Sequence, residues 1–227
     1  MRLRPGVIFL LALCFTVSAS AAWADGVPVA NASFETINPT NPLNIPCGSG
    51  CAYNGGGAIP GWTVTGSGGS FQPSTTYFNL PLPGGPSDSI VAYSNGGAIS
   101  QILGVTVQPD STYTLSVYVG DRLDDEVANY SIALDDGSTT LCSTPTASNG
   151  AVKPGTFADV TLTCSTGATV APGDLAIVLT SGGTQIDFDN VALNVVQTPE
   201  PASYLLLCIG LGAMVVFFRY RRTDVSF

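Results

Sequence analysis

Between residues 110 and 196, apolar side chains recur at every second position. Tyr113, Leu115, Val117 and Val119 alternate with Thr114, Ser116 and Tyr118. Val160, Leu162 and Cys164 alternate with Asp159, Thr161 and Thr163, and Leu175, Ile177 and Leu179 repeat the pattern before Ser181-Gly182-Gly183. A period of two places one side chain in a core and the next in water, the pattern of a half-buried strand. Gln108-Pro109-Asp110, Asp135-Asp136-Gly137 and Ala171-Pro172-Gly173 supply turns between such runs,. The middle of the chain has no sustained helical period. It is expected to be all-β: about eight to ten short antiparallel strands in a β-sandwich of jelly-roll topology. One run changes phase, with Ile186 and Phe188 on one parity and Val191, Leu193 and Val195 on the other. A bulge near Asp189-Asn190 would keep both sets facing the core, and would re-aim Asp187 and Asp189.

The two ends read as addresses. Arg2 and Arg4 precede an apolar run from Val7 to Val17, and small residues lead to Ala22-Trp23-Ala24. That order describes a signal-peptide helix, residues 1–24, cut by signal peptidase after Ala24. Residues 25–197 are enough for one sizeable core. Beyond them stand Pro199-Glu200-Pro201, an uncharged stretch over 204–218, and Arg219, Arg221 and Arg222. The prolines bar an earlier helix start. Fifteen helical residues reach about 22 Å, so snorkelling arginines must extend the transmembrane helix and hold residues 223–227 in the cytoplasm. Pro-Glu-Pro, a short apolar helix and an Arg cluster in that order resemble the PEP-CTERM sorting signal, here spanning 198–222. The resemblance implies export across the inner membrane of a Gram-negative bacterium and a membrane-anchored precursor. An exosortase would then act on that precursor, with the cell surface or extracellular matrix as its destination.

Charge and missing residue types narrow the function. The chain contains no histidine, which removes the Ser-His-Asp triad, Cys-His nucleophiles and His-ligated metals,. Five of the seven basic residues lie at the ends, so residues 25–197 carry two basic against fourteen acidic residues, a net charge of −12. Phosphate backbones would be repelled, and no nucleic-acid partner is expected. The run from Asp121 to Glu126 lacks the spacing of a calcium-binding EF-hand loop and reads as a solvated connection after the Tyr113–Val119 strand, with a place at the rim of a ligand site as the alternative,. Gly55–Gly57 and Gly66–Gly69 read as turns. Four cysteines fall in the exported segment, Cys47, Cys51, Cys142 and Cys164, and an oxidising space favours disulfides over a zinc site,. Of three pairings the most economical is Cys47–Cys51 with Cys142–Cys164, the second joining neighbouring strands.

Asn31-Ala32-Ser33-Phe34-Glu35, Ile59-Pro60-Gly61-Trp62 and Phe188-Asp189-Asn190-Val191 resemble, in this order, the galactose-binding-like jelly rolls that include carbohydrate-binding modules. The resemblance implies a structural calcium ion tying the start of the domain to its end, held by Glu35 and Asp189, and no other cofactor. Tyr53, Tyr77, Phe78, Tyr93 and Tyr118 are the aromatic candidates for sugar stacking, and Trp62 reads as a core or sheet-edge anchor. No nucleophile has a recognisable activating partner, so no catalytic residue is assigned. The expected function is a non-catalytic module binding carbohydrate or exopolysaccharide, or a biofilm-matrix component. The alternatives are a purely structural surface protein and, behind it, a polysaccharide hydrolase built on two carboxylates.

Overall fold

The computed structural model describes residues 24–85, 88–124, 129–145, 147–148, 152–197 and 209–216. Ala24–Gln197 is one compact unit, and the described residues 209–216 lie outside it. The signal peptide up to Trp23, Pro199-Glu200-Pro201 and the terminal arginines lie outside the described residues. Of the expected span over 204–218, residues 209–216 form a helix, α1. No described helix is long and apolar enough to cross a membrane.

Twelve strands appear among the described residues, more than expected, and every pairing is antiparallel. They are β1 (Ala24–Val27), β2 (Ile45–Gly48), β3 (Cys51–Tyr53), β4 (Thr63–Gln72), β5 (Val91–Thr106) and β6 (Ser111–Asp121). β7 (Asn129–Asp136), β8 (Thr139–Ser143), β9 (Ala147–Ser148), β10 (Thr156–Ser165), β11 (Asp174–Ser181) and β12 (Ile186–Gln197) follow. The hydrogen-bonded path runs β10-β6-β12-β5-β11-β7-β8. Its long member, β5, belongs to both layers. Ala92–Ser94 pair with β12, whereas Gly97–Thr106 pair with β11. The strand bends at Gly96-Gly97, opposite a register shift between Gly66 and Gly68 of β4. Gly66 and Gly97 both have positive φ, and a Cβ on either would strike the facing backbone, Gly96 O and Thr65 O respectively,. The Gly66–Gly69 stretch is therefore a bend inside a strand and not a turn.

The alternating residues do what their period requires. Leu115, Val117, Val119 and Phe188 from one layer meet Ile132, Leu134, Ile177 and Leu179 from the other in one buried core. Trp62 belongs to it, against Phe34 at 5.1 Å, with Nε1 donating to Asn31 O at 3.3 Å. The phase slip in β12 is a register shift between Asp189 and Ala192, and Asn190 has φ 45° there. The cysteines pair as Cys47–Cys51 and Cys142–Cys164, with Cα separations of 5.2 and 5.9 Å. Cys142–Cys164 does not join hydrogen-bonded neighbours: β8 and β10 are the opposite ends of the path, so this link ties the free edges of the two layers together.

Candidate functional site

Sheet pairing brings four aromatic rings from distant parts of the chain to the outer face of one layer. There Phe71 and Tyr93 are buried in a second apolar cluster with Phe78, Leu82 and Val91, and Tyr53 and Tyr77 are half-buried against it. Tyr53 on β3 lies opposite Phe71 on β4, and Tyr93 on β5 lies opposite Asp187 on β12. The connection between β4 and β5 then folds over the same face and delivers Tyr77. Its backbone is pinned to two other connections, Leu123 N to Tyr77 O at 2.9 Å and Asn79 N to Gly155 O at 2.8 Å. Together with Cys47, Asn95, Arg122 and Gln185 these rings line a cleft of about 250 Å³. The rings hold one another edge-on: Tyr53–Tyr93 at 6.0 Å, Phe71–Tyr77 at 5.7 Å and Phe71–Tyr93 at 6.4 Å,. Phe78 is fully buried, stacked on Phe157 at 4.7 Å, and serves packing. Tyr118 does not line the cleft.

A polar chain crosses this site. The Arg122 guanidinium lies 4.4 Å from the Tyr77 ring centroid and 5.8 Å from that of Phe71,. Its Nε and Nη2 donate to the two carboxylate oxygens of Asp124 at 3.0 and 2.8 Å, and Nη1 donates to Gln185 Oε1 at 2.6 Å. Gln185 Nε2 in turn donates to Asp187 Oδ1 at 2.9 Å. The Tyr93 hydroxyl donates to Asn54 O at 2.7 Å. Burial, assisted by the charge of Asp187, pushes its pKa up. Of the 121–126 run, the described residues 121–124 fit the alternative of a ligand-site rim better than a plain solvated connection. Asp121 is buried at the end of β6 and Arg122 faces the cleft. Phe71, Asn95 and Gln185 carried no local signal, and Arg122 only its place in the charged run; the fold alone brings them together. A second groove of about 340 Å³, lined by Ser49, Gln72, Ser74 and Asp88 among others, has no aromatic ring.

The other expected site sits at the start of the domain. Asn31–Ser33 lie in a turn, and Phe34, with φ 58°, bends the chain after it and leads into Glu35. Glu35 Oε1 accepts from Ser89 N and Ile90 N, both at 2.8 Å, and Oε2 accepts from the Ser89 hydroxyl at 3.2 Å. Val191 N donates to Ala32 O at 2.9 Å, so the opening turn and the β12 bulge do meet. Asp189 is completely buried. Its Oδ1 accepts from Asn190 N at 2.8 Å, while Oδ2 has no partner among the described residues. Burial, with the charges of Asp88 and Glu35 added, pushes its pKa up to about 8 against the single favourable hydrogen bond from Asn190,. Asp88 Oδ2 accepts from Asn190 Nδ2 at 3.3 Å. Among the described residues no three acidic or cysteine side chains stand close enough to enclose a metal by themselves. A cation at Asp189 Oδ2 would need backbone carbonyls as well, and the orphaned oxygen beside two like charges fits one.

A jelly-roll sandwich with an aromatic cleft on one outer face, carried on a chain that ends in a sorting signal, defines an exported surface protein. The chain belongs to the HpiC1 cyclase family, whose profile matches residues 25–194. The PEP-CTERM protein-sorting motif matches residues 197–222 and implies export and exosortase processing. No curated protein matches the sequence. Among solved structures, the Stig cyclase FisC from Fischerella sp. TAU, in complex with (3Z)-3-(1-methyl-2-pyrrolidinylidene)-3H-indole, superposes with a TM-score of 0.62 at 22% identity. That match covers 78% of this chain and 100% of FisC. A cyclase from the same organism in complex with 4-(1H-indol-3-yl)butan-2-one gives 0.59 at 23%, over 77% and 100%. The xylan-binding CBM22-1 domain of Paenibacillus barcinonensis Xyn10C gives 0.48 at 14%, over 79% and 100%. The expectation of a non-catalytic module thus stands beside a family named for a cyclase.

Proposed function

We propose that the exported domain is a non-catalytic carbohydrate-binding module that holds a ring of an extracellular polysaccharide in the cleft, as a component of the cell surface or biofilm matrix. The observation that carries this reading is the set of four aromatic rings converging with the amide and guanidinium groups of Asn95, Gln185 and Arg122. The half-buried rings of Tyr53 and Tyr77 offer apolar surface to a pyranose, backed by the buried Phe71 and Tyr93, while the amides of Asn95 and Gln185 suit its hydroxyls,. The cleft is small, which suits one sugar ring better than a length of chain. Glycan-array binding followed by calorimetry tests it. Retention of a sugar without turnover, weakened about tenfold by Tyr93→Ala, is expected. Silence on every glycan would leave a purely structural surface protein.

Family membership favours one second reading, acid-catalysed cyclisation of an indole-bearing substrate. Asp187, fully buried opposite Tyr93 and held by Gln185, would be its proton source,. Product formation from an indole substrate, abolished by Asp187→Asn, would establish it over the first.

We further propose that a structural calcium ion sits at Asp189 with Glu35 nearby, a role in holding the fold and not in chemistry. The ion would replace the proton that Asp189 otherwise keeps. After export the membrane-anchored precursor would be cut near Pro199-Glu200-Pro201 by the exosortase. Intact mass of the cell-surface form tests both cleavages at once.

A further inference from the structure

We infer that the cleft selects uncharged sugar rings and rejects uronic acids, with the Arg122–Asp124 pair as the determinant; this rests on reading the cleft as a sugar site. An arginine in a sugar cleft would ordinarily argue the opposite, because its planar fork matches a carboxylate in two parallel hydrogen bonds. Here that edge is already taken. Nε and Nη2 both donate to Asp124, and Nη1 is committed to Gln185. Asp124 lies only two residues away, so it competes as an intramolecular ligand at high effective concentration. A ligand carboxylate would have to displace it and leave Asp124 beside the bound anion.

The surroundings offer no substitute. Lys153 is the only other basic residue between 25 and 197, and it does not line the cleft. The carboxylate of Asp187 is buried next to Gln185, and the whole segment carries −12. An approaching anion therefore meets a repulsive field at long range and a closed fork at short range. A neutral ring needs neither charge. The guanidinium packed over Tyr77 then acts as a wall of fixed orientation, and the remaining hydrogen-bonding capacity of Asn95 and Gln185 suits sugar hydroxyls.

Calorimetry on the purified full-length protein with three matched pairs of methyl glycosides tests this: glucose and glucuronic acid, galactose and galacturonic acid, mannose and mannuronic acid. The neutral member of whichever pair binds should be preferred at least tenfold. Asp124→Asn should open the fork and raise the uronate-to-neutral affinity ratio about tenfold, and adding Arg122→Gln should abolish that rise. A wild-type preference for the uronate, or an unchanged ratio in Asp124→Asn, overturns the inference and leaves the sugar site standing. Absence of binding to all six overturns the sugar site itself, and this inference with it. If Asp124→Asn does not fold, the wild-type ratio at low and high salt decides, since an excluded anion gains affinity as salt screens the repulsion.

Discussion

The hydroxyl of Tyr77 donates a hydrogen bond to the carbonyl oxygen of Cys47 at 2.9 Å. The first residue belongs to the connection that roofs the cleft and the second to the disulfide-closed β2–β3 hairpin that walls it. β3 is held by its pairing with β4 and by the buried Cys51, whereas β2 pairs only with β3, so Cys47 on that edge strand relies on its link to Cys51. Cleft shape then depends on the Cys47–Cys51 link, which can form only after export to an oxidising space. Reduction, or the Cys47→Ser/Cys51→Ser double variant, is expected to weaken binding of the retained sugar about tenfold. Tyr77→Phe should weaken it less, in keeping with the roughly 1 kcal/mol of one hydrogen bond. Calorimetry with and without reductant reads both, and equal affinity in the two states would refute the dependence.

The second disulfide acts on the fold as a whole. Cys142 and Cys164 close a sequence separation of 22 residues and join the free edges of the two layers. Loop-closure entropy puts its contribution at about 3 kcal/mol. The Cys142→Ala/Cys164→Ala variant should therefore unfold at markedly lower guanidinium concentration with an unchanged native circular dichroism spectrum. A midpoint equal to wild type would show that the edges are held by packing alone.

What could be read from the sequence was whatever the chain repeats locally. The alternation around Leu115, Leu162 and Ile177 located β6, β10 and β11, and the parity change after Phe188 located the bulge. Cysteine economy found both pairs, though not that the second spans the layers, because strand order is a long-range property. The cleft was legible only as scattered aromatics. Tyr53, Tyr77 and Tyr93 were among them, but so were Phe78, which is core, and Tyr118, which is elsewhere. Arg122 was hidden inside an acidic run whose composition looks solvated. Nothing within a few residues of it records that Tyr77 and Gln185 fold against it.

Gly97 offers a sharp test of how the two layers are joined. Its φ of 128° is closed to residues with a Cβ, and that Cβ would collide with the Thr65 carbonyl on β4,. Neither strain can relax without unpairing β4 from β5. Gly97→Ala is expected to cost at least about 3 kcal/mol, or to abolish folding. Gly167, with φ in the ordinary range and nothing near a Cβ, serves as control, and Gly167→Ala should be neutral or slightly stabilising,. Denaturant melts of the two variants compare them directly. A Gly97→Ala protein as stable as the control would mean that the bend is not where the chain is committed.

Asp189 predicts a fall in stability with rising pH that calcium should remove. Burial near Asp88 and Glu35 holds its pKa at about 8 in the folded state, whereas an unfolded chain returns it to the ordinary carboxylate value,. Between about pH 4 and pH 8 the folded state thus keeps a proton that the unfolded state has lost. Its contribution to stability is complete below about pH 4 and disappears as pH rises through about 8. In calcium-free buffer the melting temperature of wild type relative to Asp189→Asn should fall by several degrees across this window. With millimolar calcium the ion takes the proton's place, so the calcium-induced rise in melting temperature should grow toward pH 8 and be lost in Asp189→Asn. Calorimetric melts at four pH values, with and without calcium, read both slopes. A calcium effect that persists in Asp189→Asn would move the ion elsewhere, and parallel slopes without calcium would mean that Asp189 is ionised in the folded protein.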